Sequence, residues 1–407
     1  MADDAPAVVG SRFAAQPDWL RTFDFWTDAS HHADPYPHYT ELRERCPVAR
    51  SDALGGYWLV TRYDDIRAVL QDGATFSSRY ITVPDTPEPA GPRIPLQLDP
   101  PEHRHYRQLL LSLFSPATAE ALAPTTRAIA ARLLDTFVHA GGGDFVADVA
   151  ARLPPELLLR WFGFPDEGVE LLACLDETIR VGTRDPSRRD EVFAARAEAD
   201  AYFQHIVDER AATGPTGEDV LSVLVTATVR GRALTIEERK RILMLLYSAG
   251  LHTTTNTLSN AVAHLAAHPT LRDRLTREPG RIPDALEELM RYESIVSVRR
   301  TPLRDVVVGG VQIAAGEPIM LFLGSAGRDE AVFQDPDVVD IDRPVKTHLN
   351  FGAGPHRCLG SHVARMELRV ALEELHARAP AYRLDPRRSV TRHTGVERGV
   401  DELWLQA

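Results

Sequence analysis

The stretch FGAGPHRCLG, residues 351–360, decides the fold prediction for the rest of the chain. Gly352, Gly354 and Pro355 come just before an apolar pattern with helical spacing, which predicts a tight turn that opens a helix. Cys358 would lie at the start of that helix, where unpaired backbone N–H groups and the helix dipole favour an anion. The segment therefore predicts a stabilised thiolate, and Gly360 would let a flat cofactor approach the backbone.

The chain contains only two further cysteines, Cys46 and Cys174. No C-x-x-C pair is present, which argues against a structural zinc site. An odd, sparse set of cysteines fits a reducing compartment better than a disulfide framework. We expect Cys46 and Cys174 to be small buried hydrophobic side chains.

The net charge and the distribution of apolar residues argue against some classes of partner and location. The formal net charge of the 407 residues is -12, which argues against nucleic acid as a general partner. The N-terminus lacks the basic and apolar regions of a signal peptide, and no apolar run is long enough to span a bilayer. The sequence therefore predicts a cytoplasmic protein without membrane attachment.

Local patterns predict a mainly α fold with a smaller β-rich part, an α+β arrangement. Thr235 and Glu238 form a T-x-x-E capping box, so a long helix should run from there to about His268, where Pro269 ends it. We expect one domain over residues 1–407, with a β-rich lobe near 40–95 and 294–350. A strand is predicted at 56–62, a helix at 64–70 and an irregular proline-rich segment at 84–101. The pattern is mainly helical from residue 103 to about 210, and a last long helix is predicted from near Cys358 to about Arg378.

The cysteine segment matches the pattern F-G-x-G-x-x-x-C-x-G in full and resembles the haem-binding signature of the cytochrome P450 family. The resemblance implies the P450 fold, with one long central helix over the haem. It also implies that Cys358 is the axial ligand of the iron of haem b, iron protoporphyrin IX. Phe351, Gly352 and Gly360 would contact the cofactor.

Two further segments resemble family motifs that brace the haem-binding core. Glu288 and Arg291 match the E-x-x-R pair, and their i and i+3 spacing places both charges on one helical face. Residues 328–336 with Arg343 resemble the A-N-R-D-x-x-x-F-x-D-P segment, except that Gly327 replaces the usual asparagine. Taken alone, the E-x-x-R pair would be interpreted as a solvated surface ion pair.

The predicted long helix carries a segment, residues 248–254, that resembles the family's oxygen-binding motif. Ala249 and Gly250 lack bulk, so the helix could pass close over the haem face. The hydroxyl of Thr253 would hydrogen-bond dioxygen or a water beside it, or bend the helix by bonding to a preceding carbonyl. His252 stands where the family usually has an acid; an imidazole can accept and donate a proton, so His252 is a candidate for proton delivery, for substrate contact, or for neither.

Four basic residues resemble the family's haem-propionate ligands. His103 and Arg107 lie at i and i+4 in a segment similar to D-P-P-x-H-x-x-x-R, and Arg300 and His356 occupy the other two positions. An arginine fork matches a carboxylate, and together the four supply the positive charge that two buried propionates require.

The resemblance implies a monooxygenase that inserts one atom of dioxygen into a small organic substrate. No G-x-G-x-x-G fingerprint follows a strand, so electrons from NAD(P)H should arrive through a separate ferredoxin and ferredoxin reductase. A basic landing site would include Arg104, Arg107, Arg357 and Arg365. A peroxide-driven oxidant and a non-catalytic haem sensor are the alternatives.

Apolar segments predict where a substrate would bind, although the sequence does not identify the substrate. The expected walls are residues 79–98, the stretch near Gly182, and side chains of the long helix and the last third of the chain. The individual residues expected to line the pocket are Leu245, Ser248, Val296 and Val400. Arg398 could anchor a carboxylate, but we expect it to be a solvated surface arginine.

Overall fold

The computed structural model describes residues 16–85, 91–182, 186–344 and 347–407. Parts of the proline-rich segment (86–90) and of the break after Gly182 (183–185) lie outside the described residues. Across the described part of 84–101 no helix or strand forms, as the proline density predicts.

Fourteen α-helices contain about half of the described residues. They are α1 (Ala29–Ala33), α2 (Tyr36–Arg45), α3 (Tyr63–Gln71), α4 (Glu102–Leu110), α5 (Pro116–His139), α6 (Leu153–Phe162), α7 (Asp166–Gly182), α8 (Arg189–Thr213), α9 (Val220–Thr226), α10 (Ile236–Ala267), α11 (Pro269–Arg277), α12 (Ile282–Tyr292), α13 (Leu323–Ala326) and α14 (Ser361–Arg378).

The described strands are short and form several small sheets. They are β1 (Val48–Ser51), β2 (Tyr57–Val60), β3 (Phe76–Ser77), β4 (Gly142–Asp144), β5 (Thr228–Val229), β6 (Arg232–Ala233), β7 (Ser297–Pro302), β8 (Val306–Val308), β9 (Val311–Ile313), β10 (Ile319–Phe322), β11 (Arg383–Leu384), β12 (Thr391–His393), β13 (Gly399–Glu402) and β14 (Trp404–Gln406). The largest sheet has the order β1-β2-β10-β7-β3, in which only β10 and β2 run parallel.

Helix α10 confirms the prediction made from its end signals. The Thr235 side chain accepts from the Glu238 N–H, while the Glu238 carboxylate accepts from the Thr235 N–H, so two terminal donors are satisfied reciprocally. The helix ends at Ala267, and Pro269 begins α11. Its 32 residues span about 48 Å, so one element crosses the helical part of the molecule.

Apolar side chains form separate cores in the two parts of the fold. The larger core is helical and joins α5, α6, α8, α10, α12 and α14. Two smaller cores lie on the faces of the five-stranded sheet, one with α3 and one with α2. Helix α14 packs against α5, α10 and α12, so the segment that follows Cys358 is anchored in the large core.

Three expectations from the sequence need correction. Cys174 is exposed on α7, not buried, whereas Cys46 is buried as expected. The last long helix begins at Ser361 rather than at Cys358, because the preceding residues form a separate turn. Strands β11 to β14 add β-structure beyond residue 350, and β14 pairs with β4, which interrupts the predicted helical stretch of 103–210.

No helix among the described residues is both long enough and apolar enough to cross a membrane.

Candidate active site

A tight turn presents Cys358 between α3 and α14. Residues Gly354–His356 form a single 3₁₀ turn, and the Cys358 N–H donates to the Phe351 carbonyl at 2.8 Å. Gly354 has φ +67°, and a Cβ at this position would lie 2.3 Å from the Leu70 carbonyl oxygen at the end of α3. Glycine is therefore required by both conformation and space, and the turn is fixed against α3.

The Cys358 sulfur lies in a site that favours an anion only in part. The side chain is accessible by area, yet burial among protein groups raises the pKa of the thiol. The two facts agree when the sulfur faces an internal space rather than the outer surface. This effect of burial is opposed by a hydrogen bond from the Gly360 N–H and by the nearby charges of Arg107 and Arg357, which lower the pKa of the thiol. A positive metal ion at the sulfur would complete the stabilisation of a thiolate.

Beside this turn lies the basic cluster, which we define as His103, Arg107, Arg300 and His356. The His103 and His356 rings are 4.0 Å apart, and Arg107 Nη2 donates to the Arg357 carbonyl at 2.6 Å. Burial, followed by the repulsion of the other members, lowers the pKa of His356 to about 2. The structure thus brings together all four residues predicted as propionate ligands.

Within the described ranges, no carboxylate pairs with the basic cluster. Burial lowers the pKa of Arg300 to about 10, and the acceptor that the described residues offer its Nη1 is the backbone carbonyl of Arg299, at 2.8 Å. His356 Nε2 is buried without a hydrogen-bond partner among the described residues. Asp99 is the acid that favours the charged form of Arg300, but its carboxylate accepts from Ser77 and Ser78. These residues fit a cofactor that carries buried carboxylates, as haem does.

The middle of α10 exposes one face. Ser248 and Ala249 are exposed although most of the helix around them is buried, so they border an internal space. Thr253 lies one turn beyond Ala249 on the same face, and its hydroxyl donates to the Ala249 carbonyl at 2.7 Å. The exposed face therefore carries small or hydroxyl-bearing residues.

Gly250 lies on a different side of α10. A Cβ at this position would lie 2.7 Å from Leu158 Cδ1 on α6. Close packing against α6 is thus a physical reason for glycine here, whereas Ala249 borders the accessible space.

His252 contacts acids from two distant segments. Its Nε2 lies 3.2 Å from the Asp176 Oδ1 of α7. A positive charge on His252 would also favour ionisation of the partly buried Glu397, which accepts from Asn256 Nδ2 at 3.3 Å. Burial nevertheless raises the pKa of Glu397. Neither acid was found by sequence reasoning, because no motif connects either of them with α10.

The E-x-x-R pair is buried, contrary to the surface interpretation that the pair would receive alone. Glu288 and Arg291 have side-chain exposures of 0% and are 2.8 Å apart. Arg343 Nε lies 3.0 Å from Glu288 Oε1, so two guanidinium groups share one carboxylate. Arg291 also donates to the carbonyls of Gly327 and Pro336, which fixes the loop after α13 to α12.

Gly327 replaces the asparagine usual in the family and is closely packed. A Cβ on Gly327 would lie 2.1 Å from the Arg291 carbonyl oxygen. The absence of a side chain therefore lets the loop approach the end of α12.

Comparison with known proteins agrees with this geometry. The cytochrome P450 family profile matches residues 178–376. The mycinamicin IV hydroxylase/epoxidase of Micromonospora griseorubida is 37% identical over 85% of this chain and 88% of its own length. The chain belongs to the cytochrome P450 family. The nocardicin C N-oxygenase of Nocardia uniformis subsp. tsuyamanensis is 36% identical over 86% of this P450 and 89% of its own chain.

Solved P450 structures confirm the fold. The mixed-function P450 MycG superposes with a TM-score of 0.84 at 34% identity, covering 95% of this chain and 99% of its own. A mutant of P450 EryK in complex with erythromycin B gives a TM-score of 0.80 at 33% identity, covering 92% and 96%. This protein is accordingly a bacterial-type P450, a haem-thiolate monooxygenase that uses haem, dioxygen and an organic substrate.

The predicted substrate residues are distributed over three elements of this P450. Leu245 on α10 and Val400 on β13 are buried, and Val296 forms an isolated bridge with Glu397. Arg398 is only 8% exposed and donates to Glu293 at 3.0 Å, so the expectation of a solvated arginine was wrong.

Proposed function

We propose that this P450 holds haem b through the Cys358 thiolate and oxidises a small organic substrate with electrons supplied by separate ferredoxin-type proteins. The observation that carries the proposal is the pairing of a preformed cysteine turn with a basic cluster that lacks carboxylate partners. Bound haem supplies the activation of dioxygen. Every other task falls to the residues of the chain.

The basic cluster would hold the two propionates. Arg300 and His356 have donors that no acid of the described chain satisfies, and His103 and Arg107 lie on one face of α4 beside them. Carboxylates placed here would relieve the mutual repulsion of the cluster and hydrogen-bond to fixed donors. Phe351, Gly352 and Gly360 surround Cys358 in the turn and would contact the ring. This arrangement orients the cofactor by charge at one edge and by the thiolate at its centre.

On α10, Thr253 and His252 would deliver the proton that oxygen reduction requires. The Thr253 hydroxyl can release the Ala249 carbonyl and donate into the space that Ser248 and Ala249 border. His252 can exchange a proton between its ring nitrogens and the Asp176 carboxylate, because an imidazole both donates and accepts. The space itself would receive the apolar part of the substrate, with Leu245, Val296 and Val400 in its walls.

The electron carrier would dock where exposed arginines surround the cysteine turn. Arg104 and Arg357 are exposed, whereas Arg107 is half-buried in the basic cluster. Arg365 is paired with Glu287 at 2.6 Å and stacks on Phe351, so it contributes less free charge. A local basic patch can steer an acidic ferredoxin despite the net charge of -12.

The first test is the absorption spectrum of the dithionite-reduced protein with carbon monoxide. A strongly red-shifted Soret band is expected, and Cys358→Ser should abolish that band. Cys174→Ser is the matched control, because Cys174 is exposed on α7 and should leave the band unchanged. A red-shifted band in Cys358→Ser, or none in the parent protein, would contradict the assignment of Cys358.

A peroxide-driven reaction is the second candidate, because His252 stands where the family usually has an acid. Product formation with ferredoxin, ferredoxin reductase and NADPH would be compared with product formation on hydrogen peroxide alone. Turnover only with the protein partners supports the first proposal. Equal or faster turnover with peroxide alone would replace it with the second.

A further inference from the structure

A second cavity, of about 360 Å³, lies at the far end of α10. We call it the Arg392 cavity. Its volume falls in the range of small-ligand pockets. Asn260 lines it seven residues beyond Thr253, which is about 10 Å further along the helix axis. Helix α12, the segment around Asp34 and the C-terminal strands supply the other walls.

Three arginines line the Arg392 cavity, and two of them are fully engaged. Arg328 lies between the rings of Tyr36 and Tyr292, each 3.5 Å away, and pairs with Asp337 at 2.9 Å. Arg398 pairs with Glu293 at 3.0 Å and also donates to the backbone carbonyls of His32 and Ala33 in α1. Both arginines are therefore structural parts of the wall.

The third arginine, Arg392, has no such partner. Its nearest carboxylate oxygen among the described residues is Glu293 Oε1 at 3.8 Å, and that oxygen already accepts from Arg398. Among the described residues, the Arg392 guanidinium makes one hydrogen bond, in which Nη1 donates to Asn260 Oδ1 at 2.5 Å. Burial lowers the pKa of Arg392; the charge of Glu293 raises it in part, and the charge of Arg398 lowers it.

Asn260 adds a second donor beside this guanidinium. The residue is only 4% exposed, and its Nδ2 has no hydrogen-bond partner among the described residues. The Asn260 Oδ1 accepts from Arg392, so the two side chains are neighbours in the cavity lining. The Asn260 amide N–H groups and the other Arg392 N–H groups are therefore donors that lie close together. Asn260 Nδ2 is a buried donor without an acceptor among the described residues, which is costly, and the partly exposed Arg392 guanidinium adds further donors beside it. The two side chains together indicate a ligand with acceptor oxygens.

The surroundings define the rest of the ligand. Burial and the charges of His268, Arg328 and Arg392 lower the pKa of His264 to about 4, so the environment is positive. Apolar side chains also line the cavity: Ala261, Leu286, Leu289, Met290, Leu384 and Val390. Asp34 and Glu293 also line the cavity, which limits the negative charge that it can accept.

We propose that the Arg392 cavity is a second ligand site, separate from the haem site, for a small carboxylic acid with a short apolar body. The carboxylate would accept from Arg392 and Asn260, and the body would lie against α10 and α12. Such a ligand would connect the C-terminal strand β12 with two helices of the core, so binding should also raise the thermal stability of the protein. The proposal does not depend on the residue roles assigned at Cys358.

The test uses the haem-loaded full chain and 4-phenylbutyrate as the probe. Isothermal titration should detect binding of 4-phenylbutyrate and at least tenfold weaker binding of the neutral 4-phenylbutanamide. The haem absorption spectrum should not change, because the probe does not enter the haem site. Arg392→Gln should weaken binding at least tenfold. Arg388→Gln, in the same segment but exposed and stacked on Trp404, should leave binding unchanged.

Circular dichroism and the melting temperature would show that Arg392→Gln is folded, and Asn260→Ala provides a second variant that should also weaken binding. Several results would overturn the proposal. They are equal binding of acid and amide, equal binding by the parent and both variants, or no binding of 4-phenylbutyrate at millimolar concentration. Binding that shifts the haem spectrum and is unaffected by Arg392→Gln would assign the probe to the haem site instead.

Discussion

The Thr253 hydroxyl donates a hydrogen bond to the Ala249 carbonyl at 2.7 Å, one turn earlier on the exposed face of α10. The same bond recurs one turn later, where Thr257 donates to the Thr253 carbonyl at 2.8 Å. In two successive turns, a threonine hydroxyl therefore donates to the carbonyl four residues earlier, a pattern that weakens and bends helices. Only Thr253 lies beside the exposed residues Ser248 and Ala249, so the two threonines have different environments.

Replacing Thr253 by valine should separate hydroxyl chemistry from helix structure. Thr253→Val keeps the shape but removes the donor, so product formed per NADPH consumed should fall roughly tenfold or more. Thr253→Ser should retain most of the yield. Thr257→Val is the matched control, since it removes the same type of bond from a buried position and should leave the ratio unchanged. An unchanged ratio in Thr253→Val would exclude a role for this hydroxyl.

The contact between His252 and Asp176 determines how proton delivery should be tested. His252→Ala should lower the ratio of product to NADPH consumed. His252→Asp alone would place two carboxylates near each other, where the repulsion opposes ionisation. The double variant His252→Asp with Asp176→Asn removes that repulsion, and we expect it to restore the ratio. His205→Ala serves as a control, because the His205 side chain on α8 is exposed. If His252→Ala has the parent ratio, the relay hypothesis fails.

Local signals in the sequence predicted the elements that have strong end signals. Helix α10 was predicted to within a residue or two because its capping box and Pro269 are local and unambiguous. Strands β11 to β14 were missed, since two to four residues are too few for an alternating pattern to be recognised. Strand β14 pairs with β4, which lies far away in the chain, so only the tertiary fold brings the two together.

The site residues, too, could be predicted where the signal is local and not where it depends on residues distant in sequence. Glu288 and Arg291 could be paired from their spacing, but their complete burial depends on the loop at Gly327 and on Arg343, which are distant in sequence. Asp176 is 76 residues from His252 and belongs to no motif, so its role was not predictable. Arg398 was misjudged because burial of an arginine depends on its partner, here Glu293.

Gly327 should not tolerate a side chain. Gly327→Ala would force the loop away from the Arg291 carbonyl, because backbone atoms cannot yield as a flexible side chain can. We expect the free energy of unfolding to fall by about 2 kcal/mol or more. Gly280→Ala is the control, because a Cβ there meets no atom within 4 Å and should change stability by less than about 0.5 kcal/mol. Equal denaturation midpoints for the two variants would show that the loop adapts.

Glu367 on α14 should make the stability of the fold depend on pH. The residue is 1% exposed, and its Oε1 has no hydrogen-bond partner among the described residues. Burial raises its pKa from the ordinary value of 4.5 to about 8. Below pH 4.5 the carboxyl is neutral in both the folded and the unfolded state. Between pH 4.5 and about 8, only the unfolded state releases the proton, so the unfolded state is favoured increasingly.

Glu367→Gln should therefore reduce the loss in the free energy of unfolding that accompanies the rise in pH. The variant should become more stable relative to the parent protein as the pH rises from 4.5 to about 8, with no further gain above that value. The difference should reach up to about 3 kcal/mol near pH 7, at roughly 1.4 kcal/mol per pH unit. Urea denaturation at a series of pH values would measure this difference, with Glu170→Gln as the control, because Glu170 on α7 is exposed. Parallel pH curves for parent and Glu367→Gln would mean that Glu367 ionises in the folded protein as easily as in the unfolded chain.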